Sequence, residues 1–149
     1  MAKQTHTQGA KASEIFNPKS IAVIGASDDI IKIGGRPIRY LNEHGFKGQV
    51  YPVNPKYPEI QGLKCYPSLE SIESAIDVAV IALPAKMVFD ALKQCSEAKV
   101  KAAIIFSAGF AETGPEGVEM QEKLVDLARR TGIRILGPNT LGFINSASN

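Results

Sequence analysis

Ser20-Ile-Ala-Val-Ile-Gly25 is the stretch that decides the fold of this 149-residue chain. It is a short, continuous apolar run that ends at a glycine, a pattern typical of a strand buried on both faces of a parallel sheet. Similar runs rich in Ile, Val and Ala recur at Gln49–Val53, Asp77–Leu83, Ala102–Phe106 and Ile133–Leu136. The sequence therefore predicts five strands.

Helical patterns lie between these strands. Ile38 and Leu41 indicate a helix after the first strand, and Gly45 and Gly132 are placed to end helices. The third and fourth connections carry apolar stripes at helical spacing, formed by Val88, Ala91, Leu92 and Cys95 and by Met120, Leu124, Leu127 and Ala128. The second connection is rich in proline, which predicts a turn and an extended segment before a brief helix near residues 68–75.

Strands that alternate with helices indicate right-handed crossovers and an α/β fold. We expect a Rossmann-like, doubly wound parallel sheet of about five strands, in the order 3-2-1-4-5. Residues 15–149 are expected to form this single domain. Residues 1–14 are polar and lack an apolar period, so they are expected to be a flexible tail.

The composition excludes several classes of function. A formal net charge of +2, with basic residues scattered along the chain, does not favour a nucleic-acid partner. The 2 cysteines, Cys65 and Cys95, are far apart and form no metal-binding or disulfide pattern. No apolar run is long enough to cross a membrane or resembles an export signal, so a cytoplasmic protein is expected.

Ligands of doubly wound sheets bind outside the carboxyl ends of the strands, so the residues after each strand are the candidate site. Gly25, Ala26 and Ser27 follow the first strand and lead to Gly34, which offers backbone amides to phosphate oxygens. Lys32 adds a positive charge. A tight turn with glycines present only for steric reasons is the alternative. The spacing departs from GxGxxG, which disfavours NAD.

Asn54 and Lys56 follow the second strand, where an NAD site would carry an acidic residue for the ribose. The Lys56 ammonium suits either the 3′-phosphate of coenzyme A (CoA) or the 2′-phosphate of NADP. A solvated structural lysine is equally compatible with the sequence.

The other three strand ends carry small residues and turn formers. Pro84 follows the third strand and is placed to begin a helix beside a ligand's apolar face. Ser107 and Gly109 follow the fourth strand, where Ser107 can donate a hydrogen bond and Gly109 lets the backbone approach a ligand. Asn139 follows the fifth strand and can donate and accept.

Six ordered motifs together resemble the CoA-binding domain of the acyl-CoA synthetases that form nucleoside diphosphates, such as the ADP-forming enzymes. The succinyl-CoA synthetase alpha subunit is a related protein. The resemblance covers residues 14–145, and its motifs are Ile24-Gly-Ala-Ser27, Lys32-Ile-Gly34, Tyr51-Pro-Val-Asn-Pro-Lys56, Ala82-Leu-Pro-Ala85, Ser107-Ala-Gly-Phe110 and Gly137-Pro-Asn-Thr-Leu-Gly142.

This resemblance implies a domain that holds the CoA nucleotide with four residues, Ser27, Lys32, Gly34 and Lys56. It also implies that the Ser107 loop and Asn139 face the pantetheine and thiol end. CoA is then the ligand, and further domains or subunits of an acid–thiol ligase are the partners.

In that family the chemistry passes through a phosphorylated histidine on a later domain. Neither His6 in the tail nor His44 before Gly45 fits that role, and no nucleophile, base and orienting partner assemble from the remaining residues. We therefore assign no catalytic residue and no metal site to this chain.

Two other functions are compatible with the sequence. One is a standalone or acetyltransferase-linked module that senses CoA, which the domain's own residues do not distinguish from a ligase domain. The other is an NADP-binding redox domain, which Lys56 favours and the long first loop disfavours.

Overall fold

A computed structural model describes residues 15–145, so the predicted tail of residues 1–14 lies outside the described residues. The five expected strands are present in one parallel sheet: β1 Ser20–Ile24, β2 Gln49–Val53, β5 Val78–Ile81, β6 Ala102–Ile105 and β7 Arg134–Leu136. The connecting elements are α1 Arg36–Glu43, α2 Ala85–Glu97, α3 Pro115–Thr131 and an antiparallel hairpin of β3 Glu59–Ile60 and β4 Leu63–Lys64. The α/β class and the parallel sheet are confirmed.

The predicted strand order, 3-2-1-4-5, is wrong. The sheet runs β2-β1-β5-β6-β7, so the third strand of the sheet lies beside the first one and β2 is at the edge. Pro52 in β2 explains this, because a proline has no N–H for a sheet ladder and is tolerated on an edge strand. All residues of β5 are buried, as an interior strand requires.

The second connection crosses the β2 edge without the brief helix expected near residues 68–75. Instead it forms the β3–β4 hairpin and then a single 3-10 turn at Leu69–Ser71. Tyr66, just after the hairpin, bridges to Val53, and its amide donates to the Pro52 carbonyl at 2.9 Å. The segment that follows the hairpin therefore covers the carboxyl end of the β2 edge.

Apolar residues on both faces of the sheet are covered, which confirms the doubly wound arrangement. Alternate strand residues such as Ile81 and Ile105 pack under α2 and α3 on one face. Val23 and Val80 pack with Ile38 of α1 and Ile60 of the hairpin on the other face. The predicted stripe of α2 is confirmed in full, since Val88, Ala91, Leu92 and Cys95 are its buried residues.

The predicted helix ends are also confirmed. Gly132 follows α3 with a φ of 80°, in the left-handed conformation that ends many helices. Gly45, with a φ of 68°, comes one residue after His44, which ends α1. Within residues 15–145, no helix is both long enough and apolar enough to span a bilayer.

A carboxylate joins the chain segments at the amino-terminal end of the sheet, opposite the candidate site. Asp77 accepts a hydrogen bond from the Lys19 amide at 2.8 Å and pairs with the Lys101 ammonium at 2.9 Å. The Ser20 hydroxyl accepts from the Asp77 amide. Burial of the carboxylate opposes its ionisation, but the hydrogen bonds and charge of Lys101, together with the hydrogen bonds of Lys19 and Ser20, outweigh burial and lower the pKa of Asp77.

We expect Asp77→Asn to lower the free energy of unfolding at pH 7 by about 1.5–3 kcal/mol, because hydrogen bonds to a charged group are lost. A lowered carboxyl pKa stabilises the fold above the unfolded-state value of about 3.9, and that contribution disappears as the pH falls through the folded-state pKa. Urea unfolding at pH 7 and pH 3 should therefore show the two proteins converging at low pH.

The matched control for this experiment is Asp126→Asn, because Asp126 is an exposed carboxylate on α3 with its nearest Arg129 nitrogen 3.9 Å away. An exposed pair contributes about 0–1 kcal/mol. If the difference in unfolding free energy between Asp77→Asn and the wild type is the same at pH 7 and pH 3, the account of Asp77 is contradicted.

Candidate functional site

The loop between β1 and α1 is the first part of the candidate site. Its backbone forms hydrogen bonds within the loop and to β2. The amides of Gly25 and Ala26 both donate to the Val53 carbonyl, at 3.0 and 3.3 Å. The Ser27 amide donates to the Gly34 carbonyl at 3.3 Å, which brings the two ends of the loop together. The predicted residues Gly25, Ala26, Ser27 and Gly34 are therefore neighbours.

Two glycines in this loop have a steric role of their own. Gly25 has a φ of 82°, and a Cβ built there would lie 2.4 Å from the Ala82 carbonyl oxygen. A Cβ at Gly34 would lie 2.0 Å from the Gly25 carbonyl oxygen, so the backbone segments touch directly. Glycine is thus sterically required at both positions, and the glycines alone are not evidence of a phosphate site.

The residues after β2 are linked to the same loop. The Asn54 side-chain amide donates to the Ala26 carbonyl at 2.8 Å, and the Asn54 side-chain oxygen accepts from the Lys56 amide at 3.0 Å. Asn54 therefore acts as a cross-link between the first two strand ends. The Lys56 side chain extends from this link and is exposed.

The ends of β5, β6 and β7 are joined in the same way. The buried Ser107 hydroxyl donates a short hydrogen bond to the Leu83 carbonyl, and the Asn139 amide donates to the Ser107 carbonyl at 2.9 Å. Pro84 immediately precedes α2, as predicted. Because the Ser107 hydroxyl donates to the Leu83 carbonyl, this hydroxyl has only acceptor capacity left.

The loop after β6 has a carboxylate of its own. Gly109, with a φ of 103°, donates its amide to the Glu112 side chain at 2.7 Å. This hydrogen bond is the main reason why the pKa of Glu112 lies below its usual value. The loop is thereby held next to α2, where a Cβ at Gly109 would approach the Ala85 methyl group to 3.2 Å.

The eleven predicted site residues all lie in the segments that follow the five strands. Lys32 belongs to the loop between β1 and α1, where its carbonyl accepts from the Gly35 amide at 2.9 Å. Its side chain is 70% exposed and pairs with the Asp29 carboxylate at 4.0 Å. The Lys56 side chain is exposed as well, so both ammonium groups are accessible to an anionic ligand.

Two carboxylates of the loop, Asp28 and Asp29, would repel an anion, but each already accepts a hydrogen bond from a backbone amide. Asp28 accepts from the Gln61 amide at 2.8 Å, and Asp29 accepts from the Ile31 amide at 2.9 Å. Their first role is therefore to shape the loop.

Sequence reasoning did not identify Gln61 as part of the site. Its side-chain amide donates to the carbonyls of both Ser27 and Gly35, at 3.1 and 3.0 Å. The available signal was the dipeptide Gln61-Gly62 between two apolar residues, Ile60 and Leu63, which is a weak hairpin pattern compared with Asn-Gly.

A groove with a volume of about 470 Å³ lies between α3 and β7 and reaches Gly137 and Pro138, which follow β7. Because ligand sites in doubly wound sheets lie at the carboxyl ends of strands, we assign the site to the strand ends and not to this groove.

Residues 15–145 hold no cluster of three or more His, Cys, Asp and Glu side chains that could bind a metal ion. Burial raises the pKa of Cys95 to about 12 and also raises the pKa of Cys65, so both remain thiols at neutral pH. His44 is exposed at the end of α1, remote from the strand ends.

Comparison with known proteins identifies close relatives. Residues 19–146 match the family model described as "CoA binding domain". Over 133 residues the chain is 44% identical to acetate–CoA ligase [ADP-forming] II of Archaeoglobus fulgidus, and the match covers 89% of this chain and 20% of that protein. The chain therefore spans about a fifth of that relative's length.

Solved structures show the same fold. The dinucleotide-forming acetyl-coenzyme A synthetase 1 of Candidatus Korarchaeum cryptofilum, in complex with phosphate and ADP, superposes with a TM-score of 0.87 at 43% identity, covering 92% of this chain and 29% of that one. A conserved hypothetical protein from Pyrococcus furiosus superposes with a TM-score of 0.59 at 30% identity, covering 78% of this chain and 92% of that one.

We expect Gly34→Ala to destabilise the protein by about 1–3 kcal/mol, because an added methyl group forces the tightly packed backbones apart. The amide resonances of residues 25–35 should shift in a two-dimensional NMR spectrum. Gly45→Ala is the control for backbone strain without a steric clash. Its Cβ would meet no atom closer than 3.9 Å, so the positive φ alone should cost about 1–2 kcal/mol and the resonances of residues 25–35 should not shift. A Gly34→Ala protein with wild-type stability and unshifted loop resonances would contradict the contact.

Proposed function

Since the chain belongs to the CoA-binding domain family, we propose that it binds CoA or acyl-CoA at the carboxyl edge of its sheet, as the N-terminal domain of an acid–thiol ligase that forms a nucleoside diphosphate. The observation that carries this proposal is the continuity of the edge. Hydrogen bonds and close backbone contacts link all five strand ends, and the motif residues lie along that line.

The nucleotide end of CoA is assigned to the β1 and β2 ends. The loop from Gly25 to Gly34 offers main-chain groups to the nucleotide, and Lys32 within it adds an exposed ammonium that pairs with Asp29. Lys56 is the candidate partner of the 3′-phosphate, because its ammonium is solvated while its backbone is fixed by Asn54. A charge-assisted hydrogen bond between this ammonium and a phosphate is stronger than a neutral one, which favours the pairing.

The pantetheine arm is assigned to the other strand ends. The turn at Pro84 is apolar and suits the chain of methylene and amide groups, while Ser107, Gly109 and Asn139 provide acceptors and close backbone approach. With CoA in this orientation, its thiol lies near the carboxyl ends of β6 and β7. The acyl group would be attached there.

The chemical step would take place on other domains. The overall reaction converts acyl-CoA, nucleoside diphosphate and phosphate into acid, CoA and nucleoside triphosphate, so this domain holds the thiol while a phosphorylated histidine elsewhere carries the phosphoryl group. Further domains or subunits are the expected partners, because the similar ligases are several times longer than this chain. Two unpaired cysteines favour a cytoplasmic location.

A second candidate function is a standalone or acetyltransferase-linked CoA-sensing module. The Pyrococcus furiosus relative supports it, because this chain covers 92% of that protein, which therefore has a single-domain length. The reading frame that encodes residue 149 distinguishes the two functions. A downstream domain with a histidine and a nucleotide-binding ligase domain indicates a ligase, whereas a stop codon or an acetyltransferase domain indicates a sensor.

We expect Lys56→Ala to weaken CoA binding by about 1.5–3 kcal/mol, near the lower end of this range because Lys56 is solvated. Isothermal titration with CoA and with dephospho-CoA measures the effect. The wild type should prefer CoA over dephospho-CoA, and the preference should disappear in Lys56→Ala, because both changes remove the same ion pair.

The matched control for this titration is Lys47→Ala, an exposed lysine that precedes β2 at the other end of the strand and should bind CoA like the wild type. NADPH is the competing ligand. If the wild-type protein shows no binding of CoA but binds NADPH, the result contradicts the proposal and supports the redox alternative. Equal CoA affinity of Lys56→Ala and wild type would remove Lys56 from the site.

A further inference from the structure

The turn between β3 and β4 contains an unusual residue. Gln61 and Gly62 are its two central residues, and their φ angles are 49° and 77°. Two-residue turns with positive φ at both positions favour Gly, Asn or Asp, because other side chains are strained in the left-handed region. The glutamine at this position is therefore explained by contacts outside the hairpin.

Those contacts are all made with the loop between β1 and α1. The Gln61 side-chain amide donates to the carbonyl of Ser27 at the start of the loop and to the carbonyl of Gly35 at its end. The Gln61 backbone amide donates to the Asp28 carboxylate. One residue thus holds both ends of the segment that is assigned to the CoA nucleotide.

Apolar burial does little to hold the middle of the same loop. Ile31 is 71% exposed, and Ile30 and Ile33 are 44% and 47% exposed. The loop keeps its shape through polar contacts, such as those of Asp29 with the Ser27 hydroxyl and the Ile31 amide. Removal of the Gln61 contacts should therefore loosen it.

The hairpin that carries Gln61 is fixed without the loop. Ile60 is fully buried under the sheet. Tyr66 exchanges backbone hydrogen bonds with Pro52 and Asn54, each at 2.9 Å. The hairpin is thus a firm support, and a change at residue 61 should affect the loop more than the fold.

We infer that Gln61 is a positioning residue, which holds residues 27–35 in the shape that receives the CoA nucleotide. This inference rests on the proposed function, because it concerns the same site. Gln61 itself binds no part of CoA; it acts through the carbonyls of Ser27 and Gly35.

The informative variant is Gln61→Gly. Glycine relieves the strain of the turn, so the hairpin and the melting temperature should be unchanged or improved, while both side-chain hydrogen bonds are lost. CoA binding, measured by isothermal titration, should weaken by about tenfold. Hydrogen exchange of the free protein should become faster at the Ser27, Lys32 and Gly35 amides, which are bonded within the loop.

The control is Glu59→Ala, which changes an exposed residue of the same hairpin at the cross-strand position opposite Lys64. It should leave both CoA affinity and loop exchange at wild-type values. A merely structural role for Gln61 would instead lower the melting temperature and leave the affinity of the folded protein unchanged.

The outcomes separate this inference from the proposed function. If the wild type binds CoA and Gln61→Gly binds equally well, the inference is overturned and the proposed function stands. If the wild type does not bind CoA, the proposed function fails. In that case, faster hydrogen exchange of the loop amides in Gln61→Gly still supports the role of Gln61 in fixing the loop. Unchanged exchange overturns that role.

Discussion

The close approach of three backbone segments at the end of β1 is the constraint on which the candidate site depends. Gly25 lies against the Ala82 carbonyl after β5, and Gly34 lies against the carbonyl of Gly25 itself. Connections leave β1 and β5 toward opposite edges of the sheet, so this contact lies at the switch point where such folds bind ligands. A side chain at either glycine would separate these segments and open the edge.

Much of the fold could be predicted because each interior strand is short, apolar and bounded by turn residues. The stripe of α2 was also readable, since its buried residues recur at helical spacing. The strand order was predicted wrongly, although Pro52 indicated that its strand lies at an edge of the sheet. The hairpin of residues 59–64 was missed because two-residue strands are too short to show a period.

The site residues could be located from the sequence more readily than their roles could be assigned. Every motif follows a strand, and parallel strands bring such residues to one edge. The sequence does not show which polar groups are already used by the fold. Asn54 and Ser107 donate to neighbouring backbone carbonyls, whereas Lys32 and Lys56 remain solvated. Only a three-dimensional structure separates the groups that build the edge from those that can meet a ligand.

The most direct test of the account is a map of CoA contacts on the isotope-labelled protein, from amide shifts in two-dimensional NMR spectra during titration. The account predicts that the loops after all five strands shift together, with the largest changes in residues 25–35 and at Lys56. Shifts confined to the groove between α3 and β7, or to the amino-terminal end of the sheet near Asp77, would contradict it.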